Sequence, residues 1–447
     1  MDSKHYRKKK TDDSRQIITA VVAGANGEIF ELEGYGAVGM AGASLFPLTV
    51  DGTIGLPYGS ELMMLPDRSP ILWNIDERRF EIITENPYAP GETIFPVAAF
   101  NSPGYLLTGI SAYEEKPGAG FLPLFSYGAT GWYKSGFRTA ALQVDRERRQ
   151  DLRLMKPEDV ARGIKEKRLA LPDNRLRTHL EKCALTYGCP AGKNFFLGRY
   201  EAPLPTAQNC NARCLGCISL QKNGAIPSSQ NRIDFTPSPD EIAGVALSHI
   251  QAVKNSVVSF GQGCEGDPLT AADTIAAAIR KIRTASVQGT INMNTNGSRP
   301  AALEMLFDAG LDSIRISMNS VRQEHYEAYF RPSGYHFSDV LTSISLALER
   351  KKFVSINYLN CPGFTDTPIE HEALMEFLSH FRINMIQWRN LNYDPLRYWQ
   401  AMAGMKAQQP PLGMQHCLDR IKKRFPRLMY GYFNPPREKW TLQGNKK

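Results

Sequence analysis

Cys210, Cys214 and Cys217 fall within eight residues, in the run Asn209-Cys210-Asn211-Ala212-Arg213-Cys214-Leu215-Gly216-Cys217. A C-x3-C-x2-C run places three thiols on one short loop, close enough to hold three corners of a cubane iron–sulfur cluster. Clusters held wholly by protein take four cysteines, so three leave one iron open for chemistry. The same thiols also suit a structural zinc, with Cys183, Cys189 or a histidine as the fourth ligand. Unligated thiols in a reducing compartment are the third reading.

Residues C-terminal to the loop favour the first reading. After an expected second strand comes Gly261-Gln262-Gly263-Cys264-Glu265-Gly266-Asp267-Pro268, whose glycines let backbone approach a ligand and offer carbonyls. A third strand ends in Asn294-Thr295-Asn296-Gly297, and a fourth in Arg315-Ile316-Ser317-Met318-Asn319-Ser320. This ordered series, over about residues 204–392, resembles the radical S-adenosylmethionine (SAM) superfamily. Its motifs are closest in style to the molybdopterin-cyclase and peptide-modifying branches. The resemblance implies a 4Fe–4S cluster on Cys210, Cys214 and Cys217, with the open iron chelated by the amino and carboxylate groups of SAM. One electron, from a flavodoxin- or ferredoxin-type donor, then breaks the sulfonium C–S bond and yields a 5′-deoxyadenosyl radical that abstracts hydrogen from a substrate.

By the same resemblance Gly266, Asp267 and Pro268 stand for the last three residues of a Gly-Gly-Glu-Pro segment that binds the SAM amino group. Asp replaces Glu there, and Glu265 replaces the first Gly. Asn296, Ser317 and Asn319 are implied SAM contacts, and Arg315 is suited to a carboxylate through its planar fork. One position departs from the family: Gly216 stands where an aromatic residue usually lies near adenine, so adenine is expected to be held by Ile218 or by backbone. Gln387, Arg389 and Asn390 are expected at the barrel mouth as substrate contacts. Cys361 and Cys417 are too few for an additional cluster domain near the C-terminus.

The elements that must position these residues are legible as an α/β pattern. Strands are expected at Leu204–Gln208, Val257–Phe260, Thr290–Asn294, Ser313–Met318, Phe353–Leu359 and Asn384–Trp388. Helices are expected between them, at Pro239–Gln251 (with Ser238 as N-cap), Ala271–Arg283, Pro300–Ala309 and Pro368–His380. Six strand–helix alternations predict a partial (β/α)6 TIM-like barrel, whose chemistry sits at the C-terminal strand ends. Residues 16–142 read as a β-rich N-terminal domain, with hairpins at Ile17–Val22/Glu28–Leu32 around Asn26-Gly27 and at Leu72–Ile75/Phe80–Thr84. Within it Gly34–Gly39 matches G-x-G-x-x-G, but Pro47 leaves no room for the helix a dinucleotide site needs, so these are expected to be turn glycines. Residues 143–200 read as a helical connector, with a helix starting at Pro157 and ending by Pro172. The barrel spans 201–395, between a basic tail over 1–15 and a basic extension over 396–447.

With 447 residues, 42% hydrophobic and 22% charged, the chain is expected to form two globular domains. Eight cysteines without a leader-like start favour ligands or thiols over a disulfide framework, a cytoplasmic location and no membrane insertion. The net charge of +8 is concentrated at the ends: +3 over residues 1–15 and +7 over 415–447, leaving −2 for the rest. Basic ends can attract nucleic acid. The expected function is therefore SAM cleavage for C–H activation, on a peptide or protein first and on RNA or a small molecule second. A non-enzymatic zinc-binding module is the rival from another class.

Overall fold

A computed structural model describes residues 16–148, 151–221, 226–402 and 410–440. The basic tail over 1–15 and part of the extension over 396–447 lie outside the described residues. The chain divides into two compact units, one of residues up to Gly120 plus Tyr127–Leu142, the other of Phe121–Ser126 plus everything from Gln143.

The first unit is an antiparallel sheet of 13 strands. Both expected hairpins form: Thr19–Gly24 pairs with Ile29–Gly36, and Arg68–Asn74 with Arg79–Ile82. At the first turn Gly27 takes φ +83° and Asn26 Oδ1 accepts the Glu28 amide at 3.0 Å. No helix follows Gly34–Gly39. Gly36 and Val38–Gly39 lie within strands, where a Cβ on Gly36 would come 2.4 Å from the Ile17 side chain. These glycines serve close packing more than turning.

The second unit carries the parallel sheet. Its strands run in sequence order: β1 (Glu201–Pro203), β2 (Val257–Phe260), β3 (Thr290–Thr295), β4 (Ser313–Met318), β5 (Phe353–Asn360), β6 (Met385–Asn390) and β7 (Met429–Gly431). Each neighbouring pair is parallel, and the sheet curls into a partial barrel. Preceding it are α1 (Pro157–Ala170), α2 (Arg175–Thr186) and α3 (Pro190–Phe196); between strands run α4 (Pro239–Ala252), α5 (Ala272–Ala285), α6 (Pro300–Ala309), α7 (Gln323–Phe330), α8 (Phe337–Glu349) and α9 (Pro368–His380). Ser238 caps α4 in a reciprocal box: its Oγ accepts the Glu241 amide at 3.2 Å, and Glu241 accepts the Ser238 amide at 2.7 Å.

Two features differ from the expected pattern. The first strand is Glu201–Pro203, not Leu204–Gln208. Pro203 and Pro205 have no amide to continue the ladder, and the amides of Thr206 and Ala207 turn instead to the Glu265 carboxylate at 2.8 and 2.9 Å. Beyond the six strands a seventh, β7, closes the edge from inside the C-terminal extension. Three residues are too few to show a period.

Along β4, Ile314, Ile316 and Met318 are fully buried on the outer face, leaving Ser313, Arg315 and Ser317 on the inner one. The inner face is polar on other strands too, with Ser259, Asn292, Asn294, Ser355 and Gln387 all buried.

Beneath the sheet, buried His249 of α4 donates Nε2–H to the Tyr200 carbonyl at 3.3 Å, and its Nδ1 faces no acceptor. A proton on Nδ1 would be buried without a partner, next to Lys167, so the imidazole pKa falls to about 4, chiefly by burial. Because the unfolded ring titrates near 6.5, the folded state binds fewer protons between the two values. Its contribution is intact above pH 6.5 and is lost as pH falls towards 4, by about 3 kcal/mol. Urea midpoints should drop over that window, and a His249→Leu variant should show a flatter pH dependence; an unchanged slope would refute the assignment.

Candidate active site at the cysteine loop

The cysteine loop follows β1 and is held from two sides. Carbonyls at the end of α7 take its amides: Arg213 N donates to Phe330 O at 2.8 Å and Leu215 N to Tyr329 O at 3.0 Å. From the β3 end, Asn296 Nδ2 donates to Asn211 Oδ1 at 2.8 Å, and Asn211 Nδ2 to Ser298 Oγ at 2.9 Å. Gln221 Nε2 bridges the Leu215 and Cys217 carbonyls at 3.0 and 2.9 Å.

The sulfur atoms themselves have donors. The Ala212 amide lies 3.4 Å from Cys210 Sγ, and Arg232 Nη2 lies 3.6 Å from Cys217 Sγ. Arg232 also reaches Ser219 Oγ at 3.2 Å and the Gln208 carbonyl at 3.4 Å. Burial pushes the Cys210 thiol up to about 11 and the Cys214 thiol well above the ordinary range, each also raised by its neighbouring cysteines. Bare thiolates are therefore disfavoured here, and a cationic metal centre would supply the charge that stabilises them. Over the loop opens a cavity of about 640 Å³, lined by Cys214, Cys217, Arg213, Arg331, Phe121 and Tyr393 among others. Cys214 and Cys217 on the cavity wall, N–H groups beside the Cys210 and Cys217 sulfurs and open space next to them suit a cluster with one ligand-accessible iron.

The segment Gly266-Asp267-Pro268 packs directly on the approach to this loop. Gly266 N donates to Ala207 O at 2.7 Å and Asp267 N to Asn209 O at 2.9 Å. A Cβ on Gly266 would lie 1.8 Å from the Asn209 carbonyl oxygen. The buried Asp267 carboxylate accepts from Thr295 Oγ1 at 2.8 Å, Asn296 N at 2.6 Å and Leu269 N at 3.0 Å. Its place is thus a junction between the β2 and β3 loops, with Pro268 opening a short 3-10 turn. The residues from Asn209 to Asn211, Gly266 to Pro268 and Asn296 form one bonded set.

Arg315 and Ser317 line the barrel interior. Arg315 Nη1 donates to Gln387 Oε1 at 2.7 Å, Gln387 Nε2 to Asn434 Oδ1 at 2.8 Å, and Asn434 Nδ2 to Glu201 Oε1 at 2.7 Å. Arg389 lies 3.6 Å over the Tyr432 ring and donates to its carbonyl at 2.6 Å. Burial pushes Arg315 down to about 9, with the Arg389 charge adding to the effect. The Nε atoms of both arginines and Oδ1 of Asn357 are buried without a hydrogen-bond partner. Asn390, at the end of β6, is partly buried.

Asn319 is not brought to this group. Its Nδ2 turns away to the His325 carbonyl at 3.1 Å and Tyr398 Oη at 3.2 Å, inside packing against α10 (Pro395–Ala401). Gly216 also has a physical reason: a Cβ there would lie 2.8 Å from Asn392 O, 2.9 Å from Tyr329 Oη and 3.4 Å from Tyr393 Cβ. No aromatic side chain fits at 216, and Tyr393 with Phe121, ring centroids 6.5 Å apart, supplies aromatic surface to the cavity instead.

Sequence reasoning missed Asn211, Arg232 and Glu265. Glu265 is buried and accepts four amides, from Gly261 and Gln262 (both 2.7 Å) and from Thr206 and Ala207, while burial raises it to about 7. Its signal was its place in a glycine loop; Arg232, some fifteen residues past the cysteines, had none.

Residues 204–377 match the family model of the radical SAM superfamily. GTP 3′,8-cyclase 2 of Mycobacterium tuberculosis is 27% identical over 192 residues, which cover 42% of this chain and 48% of that protein. The chain thus spans about half the length of the curated relatives it matches. Among solved structures, Streptococcus suis SuiB bound to the precursor peptide SuiA gives a TM-score of 0.35 at 14% identity, covering 50% of this chain and 46% of that one. Methylornithine synthase (PylB) gives 0.35 at 14% identity, covering 63% and 74%.

Proposed function

The chain carries a radical SAM domain over residues 204–377, and on that premise we infer that it is a radical SAM enzyme acting on a C–H bond. Cys210, Cys214 and Cys217 would hold a 4Fe–4S cluster, with SAM on the open iron. When bound, this pair supplies one-electron cleavage of the sulfonium and a carbon radical able to abstract hydrogen.

The chain's own groups do the rest. Asn211, Asn296 and Asp267 lock the β2 and β3 loops to the cysteine loop, so a cluster and SAM bound there would share one rigid frame. Gly266 lets that backbone approach the loop. Arg232 and the Ala212 amide direct N–H groups at sulfur, which tunes the charge on the ligands. Phe121 and Tyr393 line the cavity with aromatic surface that would help shield a reactive species generated there from water. Arg315 and Ser317 face the interior, where Arg315 suits the SAM carboxylate. The observation that carries the reading is the cysteine loop bonded into the strand-end residues of a parallel sheet.

For the substrate, a peptide or protein side chain is the first reading, supported by motif likeness to the peptide-modifying branches and by the separate β-rich unit, whose strand edges suit an extended chain. A second reading, a small anionic molecule, is favoured by Arg315 and Arg389, two guanidiniums in the barrel interior with unpartnered Nε atoms. Of the basic C-terminal groups, Arg420 and Lys439 pair with Glu372 and Glu147 at 2.8 and 2.7 Å, which lowers their claim on RNA. Among the described residues no helix is long and apolar enough to cross a membrane.

Anaerobically reconstituted protein, reduced with dithionite, should show a cubane paramagnetic signal that changes on addition of SAM. Absence of the signal, or its indifference to SAM, would sink the reading. Comparing peptides and small molecules from cells with and without the gene then separates the two substrate classes.

A further inference from the structure

Outside the cysteine loop, three potential metal ligands converge within the second unit. His179 Nε2 lies 3.4 Å from Cys264 Sγ and 3.5 Å from Cys183 Sγ, and the three atoms all lie within 4.8 Å of one another. His179 and Cys183 stand four residues apart on α2, on one helix face. Cys264 comes from the loop after β2. Both cysteines are buried and free, and His179 is half-buried.

Two close thiols with a single nitrogen near both call for more than packing. An Nε2–H donates well to one sulfur at a time, whereas a shared ion satisfies all three atoms together. Zn–S bonds of about 2.3 Å and Zn–N bonds of about 2.0–2.1 Å, set at the tetrahedral angle, place S and N about 3.5 Å apart. The two observed S···N distances match that spacing. We propose that His179, Cys183 and Cys264 form a second metal site, for a tetrahedral divalent ion of the zinc class, separate from the cluster loop. Cys189 stands next to the site, its amide donating to the Cys183 carbonyl at 3.0 Å, while its thiol lies outside the three converging ligand atoms. The thiols bind as thiolates, so their protons leave as the ion enters.

The site has a structural consequence. Cys264 precedes Glu265, whose carboxylate gathers four amides, and its own carbonyl accepts the Ile233 amide at 2.7 Å. An ion here would tie α2 to the loop that carries Gly266 and Asp267, stiffening the frame around the cluster without touching it.

The test uses the full-length chain, both wild type and a Cys210→Ala/Cys214→Ala/Cys217→Ala variant that lacks the cluster loop's ligands. Purified anaerobically, each should retain about one equivalent of zinc. Co²⁺ added to the metal-free protein should give thiolate charge-transfer and tetrahedral d–d bands. Cys183→Ser/Cys264→Ser and His179→Gln should each lose at least ten-fold in metal affinity, with far-UV circular dichroism showing that they fold. No zinc and no cobalt bands in the variant lacking the cluster-loop thiols would overturn the site, as would a Cys183–Cys264 disulfide found by peptide mapping of anaerobic material, or full zinc retention when Cys183→Ser/Cys264→Ser is added to that variant. Because the readout is metal in a chain stripped of the cluster loop's thiols, its failure leaves the radical SAM reading standing, and the converse holds.

Discussion

A Cys214→Ala enzyme, reconstituted with iron and sulfide and given SAM and dithionite, should release 5′-deoxyadenosine at least ~100-fold more slowly than wild type. That figure is a lower bound: outer partners of metal ligands are typically worth about 10–100-fold, and a ligand is worth more than its partner. Cys214 is the middle thiol of the three, half-buried and lining the cavity, with its carbonyl accepting the Cys217 amide at 3.3 Å. Its removal takes one corner of the cubane and leaves two thiols that interact too weakly to hold the rest. Arg232→Met offers a graded comparison. It keeps all three sulfurs but removes the guanidinium 3.6 Å from Cys217, so its loss should fall inside the range of about 10–100-fold rather than beyond it. Iron content and product release must fall together in Cys214→Ala. Product release equal to wild type would end the cysteine assignment, and so the function built on it.

How far the molecule was legible before folding depended on whether a signal was local. Ser313–Met318, Pro300–Ala309 and Pro368–His380 form over the residues their patterns imply, because each combines a period with its own start or stop, and Val257–Phe260 forms as a short run buried at every position. Ser238 is such a start, and Gly310, at φ +114°, such a stop. The first strand slipped because Leu204–Gln208 is apolar enough for a strand but interrupted by Pro205, and its amides answer a carboxylate 58 and 59 residues away. β7 was invisible at three residues; what places it is pairing with β6, not its own composition.

The site divides in the same way. Three cysteines at close spacing declare themselves within one loop, whereas Arg232 and Asn211 acquire meaning only when the fold sets them against sulfur and against Asn296. Polar type at a strand end gave too little to tell Arg315, which faces the barrel interior, from Asn319, four residues on, which turns into packing. Gly216 is the reverse case: its departure from the family's aromatic residue looked like a deficit, and the structure shows Tyr329, Asn392 and Tyr393 filling the space.

Gly266→Ala should be among the most damaging single-carbon additions in the barrel's active-site loops, alongside Gly261→Ala, whose Cβ would meet Asn294 O at 1.7 Å. At Gly266 the added Cβ would meet a backbone oxygen, Asn209 O, at 1.8 Å, well inside any tolerable contact, and backbone cannot rotate aside as a side chain would. The backbone torsion is not the obstacle, since Gly266 does not adopt a positive φ. Relief requires the β2 loop to lift from the chain entering the cysteine loop, which breaks the Gly266–Ala207 and Asp267–Asn209 bonds at 2.7 and 2.9 Å. Overpacking of this kind costs about 1–3 kcal/mol or more, and each loss of about 1.4 kcal/mol from ligand binding is a tenfold loss in affinity. SAM affinity, read from the SAM-induced change in the cluster's paramagnetic signal, should therefore fall by about 10–100-fold. Iron content should fall less, because all three cysteines remain. A Gly266→Ala protein that binds SAM as wild type does would show that this loop sits apart from the cofactor, and would remove Gly266, Asp267 and Pro268 from the site while leaving the cysteine loop untouched.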